Sequence, residues 1–186
     1  IIPNPLLIGA DVAARTKNIK IGQAANIVTF WHPLRLAEDI AMLDQMSRGR
    51  VEVGVGRGLY GREAANLNIA ADPSNQQQNR AIFEETVTVL KKALTGNFFA
   101  HHGEFYNFPP KGIKWEHPMS PSSEDFMDID KGEINKVAIM PPAYQNPHPR
   151  FWQTIDSTTS IKKAASEGTN AIFWMPPVKE LKKRFH

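Results

Sequence analysis

Six consecutive residues raise the first chemical question. Gly56-Arg57-Gly58-Leu59-Tyr60-Gly61 has the spacing G-x-G-x-x-G, in which glycines let the backbone approach a ligand and a helix opening inside the motif turns its N–H groups toward a pyrophosphate. That fingerprint also needs an acid about 20 residues further on, and Asn66, Asn68, Asp72, Pro73 and Ser74 break up the stretch where its helix should run. A nicotinamide dehydrogenase with an open sheet is therefore a weak reading. Without the helix, the loop still carries one strong group, because the planar fork of Arg57 suits phosphate oxygens. The plain alternative is a glycine turn bearing a surface arginine. His101 and His102 are adjacent but have no acids at ligand spacing, so both are expected to face solvent and no metal is expected. His32 is expected to be structural.

The elements that must position these residues follow from periodicity. Leu6 to Thr16 reads as the end of a helix, and Ile19, Ile21, Ala24, Ala25, Ile27 and Val28 make an apolar stretch suited to a buried strand. Pro33 stands where a first helical turn tolerates it. Leu36, Ala37, Ile40, Leu43 and Met46 then recur at helical spacing, predicting a helix from about Leu34 to Ser47 with Arg35 and Asp39 facing each other on its surface. Val51 to Val55 is β-branched and runs into the glycines, as a strand entering a ligand-approaching loop does. Asn66 to Gln78 reads as a loop. Ile82, Phe83, Val87, Leu90 and Leu94 mark a second helix ended by Gly96. Phe98 to Phe108 suits a small hairpin, and Lys111 to Lys136, without clear periodicity, suits a long surface loop. Beyond four prolines come a strand near Phe151 to Ile155, a helix from about Ser160 to Glu167 and a strand at Ala171 to Trp174. The aromatic pairs Phe98-Phe99 and Phe151-Trp152 are expected in the core.

Alternating strands and helices imply a parallel α/β sheet, either an open doubly wound one or a closed eight-fold barrel. A barrel takes about 250 residues, the chain has 186, and the pattern yields about four strands, so the barrel reading treats the chain as part of a longer protein. Ile1, apolar and not an initiator Met, agrees with that. The composition, 41% hydrophobic and 22% charged with a net charge of +3, is that of an ordinary globular chain. Basic residues are scattered except from Lys179 to Arg184, which argues against a nucleic-acid stripe. With no cysteine, there is no disulfide framework and no thiolate metal site. No apolar run approaches the length needed to cross a bilayer, so a soluble, cytoplasmic protein without membrane contact is the expectation.

Three segments carry a resemblance. His32-Pro33-Leu34-Arg35-Leu36-Ala37-Glu38-Asp39, Leu43-Asp44-Gln45-Met46-Ser47-Arg48-Gly49-Arg50 and Val53-Gly54-Val55-Gly56-Arg57-Gly58-Leu59-Tyr60 resemble, in register and without gaps, the signature of the bacterial-luciferase-like flavin monooxygenases. The likeness is nearest to the luciferase subunits and extends more loosely from Ile19 to Trp174. It implies one partial domain over residues 1–186, part of a (β/α)8 TIM barrel covering roughly the third to sixth strands. Residues 97–150 would form an inserted hairpin and loop.

The resemblance further implies a site. The family's third strand ends in a non-proline cis peptide beneath the flavin ring, and Ala24-Ala25 matches it. Arg57 matches the phosphate-binding arginine, and backbone groups around Leu59 would hold the same phosphate. Asp156, Ser157 and Ser160 match an acid and two hydroxyl residues that bind ribityl or phosphate oxygens, anchored by the match at Ala164-Ala165-Ser166-Glu167-Gly168. The alternative for the two serines is helix capping, which does not exclude binding. Trp174, at a strand end, is placed to edge the flavin or substrate pocket. Gly56 stands where luciferase catalytic subunits have a reactive cysteine, and Asp156 replaces a longer carboxylate, so light emission is not implied. The family's catalytic histidine would lie upstream of Ile1, which leaves the catalytic residue unknown.

The implied activity is oxidation of a small organic substrate, an aldehyde being one candidate, by reduced FMN and oxygen. A separate flavin reductase would supply the cofactor, and a dimer is expected. A deazaflavin-dependent oxidoreductase and a non-catalytic luciferase-like subunit are the rival readings.

Overall fold

The computed structural model describes residues 4–119, 122–155, 157–173 and 178–185. Its first helix, α1 (Pro5–Arg15), starts at Asn4, whose side chain accepts hydrogen bonds from the Leu6 and Leu7 backbone N–H groups. Two short strands follow, β1 (Ile21–Gly22) and β2 (Asn26–Ile27), then a 3-10 turn at Val28–Phe30. Helix α2 (Pro33–Ser47) begins on its proline and ends where Arg48 and Gly49 turn left-handed, at φ 56° and 79°. Strand β3 (Val51–Gly56) leads through the glycine loop to α3 (Gly61–Leu67), a 3-10 turn at Ile69–Ala71 and the long helix α4 (Gln76–Leu94).

Two small hairpins come next, β4 (His101–His102) with β5 (Asn107–Phe108) and β6 (Met127–Asp128) with β7 (Glu133–Ile134). The barrel rhythm then returns with β8 (Arg150–Ile155), α5 (Thr158–Ser166), β9 (Asn170–Phe173) and α6 (Val178–Phe185).

One curled parallel sheet joins these pieces in the order β1-β3-β8-β9, with β2 also pairing β3. Sequential parallel neighbours wind in one direction. An open dinucleotide-binding sheet reverses its strand order at a switch point, and the described strands contain no such reversal, so the sheet is the wall of a half-barrel.

Val51, Val53 and Val55 are buried and pack against Leu36, Ile40 and Leu43 of α2 and Val89, Leu90 and Leu94 of α4. Alternation puts Glu52, Gly54 and Gly56 on the opposite, barrel-interior face, where Trp152 Nε1 donates to Glu52 at 2.8 Å. Among the described residues no helix is long and apolar enough to cross a membrane.

Several local expectations fail for identifiable reasons. The stretch from Asn66 to Gln78 is not all loop, since α3 and a 3-10 turn fill 61–71 and only Ala64 and Ala71 are buried there, too few to show a stripe. Lys111 to Lys136 contains the β6–β7 hairpin, whose two-residue strands are too short to show alternation, and it buries Met127. Arg35 pairs with Glu38 at 2.8 Å and not with Asp39, whose carboxyl is pushed up by burial and by Glu38. His101 does not face solvent: it is 9% exposed and bonds Glu85, 16 residues away, at 3.0 Å. Phe98 is exposed and stacks on Phe126, while Phe99 is buried.

Candidate functional site

The site begins where a strand breaks. From Ile21 to Asn26 the chain advances five residues while its partner advances four, from Val51 to Val55. The extra residue is a bulge at Gln23-Ala24-Ala25, and the Ala24–Ala25 peptide is cis. This bulge leans over β3: a Cβ on Gly54 would fall onto the Gln23 carbonyl oxygen. Only glycine at 54 leaves room for the bulge. Because the extra residue resets the alternation, Gln23 and Asn26 are both buried, and Asn26 Nδ2 donates to Gln23 Oε1 at 3.2 Å and to the Gly54 carbonyl at 3.1 Å. The result places the small residues Ala24 and Ala25 at the bulge, beside Gly56 of β3, with the Gln23 carbonyl covering Gly54. A Cβ at Gly56 would lie 3.0 Å from the Thr154 hydroxyl and 3.5 Å from Ala25 Cβ.

At the C-terminal end of β3 stands Arg57, half-buried and held at both ends. Its carbonyl accepts the Thr29 hydroxyl and the Asn79 amide, each at 3.0 Å. Its Nη1 donates to Gln76 Oε1 at 3.2 Å and to Asn79 Oδ1 at 3.3 Å. Asn68 ties the same corner by donating to the Thr29 carbonyl at 2.9 Å. Gly58, at φ 87°, turns the chain out of the strand. Leu59 and Tyr60 are exposed beyond it, before α3 opens at Gly61. Asp72, in the turn before α4, accepts the Ser74 backbone N–H at 2.8 Å, and its bonds to Ser74 hold its carboxyl below the usual range.

Strand β8 pairs with β3, so its C-terminal end lies beside Arg57's. There Ser157 caps α5: the Ser157 hydroxyl accepts from the Ser160 N–H at 3.2 Å and the Ser160 hydroxyl accepts from the Ser157 N–H at 3.1 Å. Capping is thus a role both serines have, and they sit at the positive end of a helix dipole. Asp156 and Trp174 lie outside the described residues. Of the sequence-derived candidates, Ala24, Ala25, Arg57, Ser157 and Ser160 lie on or at the ends of adjoining strands, and Leu59 lies in the loop after β3. Sequence reasoning read Gly54 as one of the glycines of a ligand-approaching loop without its role under the bulge, and it passed over Gln23, Gln76 and Asn79. The last had a signal: Asn79 is a polar residue opening the buried stripe Asn79, Ile82, Phe83, Thr86, Val89 and Leu90.

The half-barrel thus gathers small residues at a strand bulge, an oriented guanidinium and a serine-capped helix N-terminus at neighbouring strand ends. The chain belongs to the luciferase-like monooxygenase family, whose model matches residues 1–186.

It is 29% identical over 170 residues to the oxygenase component of a flavin-dependent trigonelline monooxygenase from Acinetobacter baylyi, covering 91% of this chain and 39% of that protein. To an alkanal monooxygenase beta chain from Photorhabdus luminescens it is 28% identical over 185 residues, covering 100% of this chain and 48% of that one. The crystal structure of the monooxygenase RslO1 from Streptomyces bottropensis superposes with a TM-score of 0.76 at 26% identity, over 98% of this chain and 47% of that one. The oxygenating constituent of 3,6-diketocamphane monooxygenase from Pseudomonas putida, solved in complex with FMN, has the same fold, with a TM-score of 0.75 at 24% identity, over 99% of this chain and 46% of that one. The chain therefore spans less than half the length of these proteins.

Proposed function

We propose that this chain is the flavin-holding half of a monooxygenase barrel that uses reduced FMN and oxygen on a small organic substrate. The observation that carries the reading is the placement of Arg57 at the end of β3, one strand from the Ala24–Ala25 surface on one side and from the α5 N-terminus on the other. The residues fit the group. A tricyclic ring needs a floor of small residues, and Ala24 and Ala25 at the bulge offer one; a phosphate needs fixed donors, and Arg57 provides a fork whose Nη1 is already oriented.

When bound, reduced FMN supplies the electrons that activate oxygen. Arg57 holds the phosphate, aided by backbone groups near Leu59 and by the hydroxyls of Ser157 and Ser160 at the positive end of α5. Asp156 takes ribityl oxygens, and Trp174 borders the ring or the substrate. The wall of β3 and β8 keeps water from the ring's buried side.

The substrate class is small and organic, with an aldehyde one candidate, in keeping with the alkanal monooxygenase relatives. A separate reductase delivers reduced flavin, in keeping with the relative named as an oxygenase component. The protein works as a dimer in the cytoplasm, and residues 97–150 are an insertion on a single partial-barrel domain.

Titrating the purified protein with FMN and with riboflavin, which lacks the phosphate, tests the reading. Charge-assisted hydrogen bonds to phosphate are worth about 1.5 to 3 kcal/mol, so FMN should bind roughly 10 to 100 times more tightly, and Arg57→Ala should remove most of that preference. Equal affinity for the two ligands in the unsubstituted protein would sink it.

A further inference from the structure

The geometry points to Asn79 as the positioning residue that aims the Arg57 guanidinium, an inference that rests on the flavin-phosphate reading of Arg57. Asn79 is 1% exposed in the first turns of α4. A side-chain amide has two donor hydrogens and one acceptor oxygen. Both donors are engaged by backbone carbonyls, Ala71 at 2.8 Å and Arg57 at 3.0 Å. Turning the amide over would set its oxygen against two carbonyl oxygens, so the Asn79 oxygen has to face outward, toward Nη1 of Arg57.

One side chain therefore fixes the backbone and the tip of the same arginine. Arginine has large rotamer freedom, and a fork restricted before the ligand arrives loses less on binding. Gln76 adds a second acceptor on Nη1 and is itself held by donating from Nε2 to the Pro73 carbonyl at 2.5 Å. Both acceptors are neutral. Their bonds help to orient the guanidinium. Aspartate at 79 would oppose two carbonyl oxygens, and leucine would leave the Ala71 carbonyl without its amide donor, so the chemistry selects asparagine.

FMN and riboflavin titrations of the purified protein separate aiming from mere packing. Asn79→Ala should weaken FMN about 5- to 20-fold and Gln76→Ala about 2- to 5-fold, both at or below the contribution of a single hydrogen bond to a charged group because the ligand contact itself is kept, while riboflavin affinity stays within about twofold. On an Arg57→Ala background, Asn79→Ala should weaken FMN no further. Equal weakening of both flavins, a full additional loss on the Arg57→Ala background, or unaltered FMN affinity in a folded Asn79→Ala protein would each overturn the assignment. If Asn79→Ala fails to fold by circular dichroism, exposed Gln76 decides: a Gln76→Ala protein with unaltered FMN preference overturns it. Failure of the phosphate reading itself is seen separately, as no FMN preference before any substitution, and it removes the basis for both.

Discussion

Two parts of the molecule are tied down by opposite chemistry. The segment between α4 and β8 carries little regular structure and is fastened by carboxylates. Glu85 of α4, 12% exposed, accepts the backbone N–H groups of Glu104, Phe105 and Tyr106 and bonds His101. Asp44 of α2, fully buried, accepts the Gln145 backbone N–H and side-chain amide, each at 2.9 Å. At the Arg57 corner Thr29, Asn68, Gln76 and Asn79 contribute neutral partners, and the strand bulge beside it is seated on a glycine. A turn with several converging N–H groups is best satisfied by one anion. Neutral acceptors orient a cation without adding a competing charge of their own.

Gly54→Ala should produce the largest effect. The added methyl would collide with the Gln23 backbone, and Asn26 ties both sides of the clash by donating to the Gln23 side chain and to the Gly54 carbonyl, so neither can give way cheaply. We expect a loss of about 4 kcal/mol or more, at the upper end for overpacking, read from urea unfolding, together with loss of flavin binding. A variant within about 1 kcal/mol of the parent would break the picture of a bulge resting on β3.

Glu85→Ala tests the other region. Leaving three N–H groups and His101 without their acceptor should cost about 2 to 4 kcal/mol and speed hydrogen exchange at residues 104–106. FMN affinity should remain as in the parent, since Glu85 lies away from the Arg57 corner. A matching fall in FMN affinity would show that the two regions are coupled.

The same carboxylate gives a signed pH dependence. Burial pushes the Glu85 carboxyl up, but bonds from His101 and from the Phe105 and Tyr106 N–H groups outweigh burial and hold it below its ordinary value. A lowered folded-state value means stability that is fully present above the ordinary glutamate range and is lost as pH falls through the lowered value. Acid titration of unfolding should therefore be steeper in the parent than in Glu85→Ala below about pH 4.5. Parallel profiles would remove Glu85 from the acid response.

What the sequence made legible was long-period information. The spacing of Leu36, Ile40 and Leu43 located α2, the β-branched run at Val51 located β3, and the family signature located Ala24–Ala25 and Arg57. What it hid depends on tertiary partners. A one-residue bulge leaves no mark on an apolar stretch, so nothing in the sequence singled out Gln23 and Asn26. His101 looked solvent-facing because its partner Glu85 lies on another element. Asn79 was readable only as a polar intrusion into a buried stripe, and its two-ended grip on Arg57 needed α4 and β3 side by side.

The smallest effect is expected from repeating the glycine substitution in the carboxylate-fastened segment. Gly112 has φ +76°, a conformation that disfavours a Cβ, yet a methyl group there would meet nothing within 4 Å. The left-handed penalty is about 1 to 2 kcal/mol, and alanine recovers about 0.4 to 1 kcal/mol by restricting the unfolded chain, so Gly112→Ala should cost between roughly 0 and 1.6 kcal/mol. Gly54 and Gly112 are then glycines for different reasons, one for space and one for φ. Side-by-side urea unfolding of Gly54→Ala and Gly112→Ala would show this as a gap of several kcal/mol, whereas similar losses would mean that β3 yields to the bulge as readily as a surface turn yields to a methyl group.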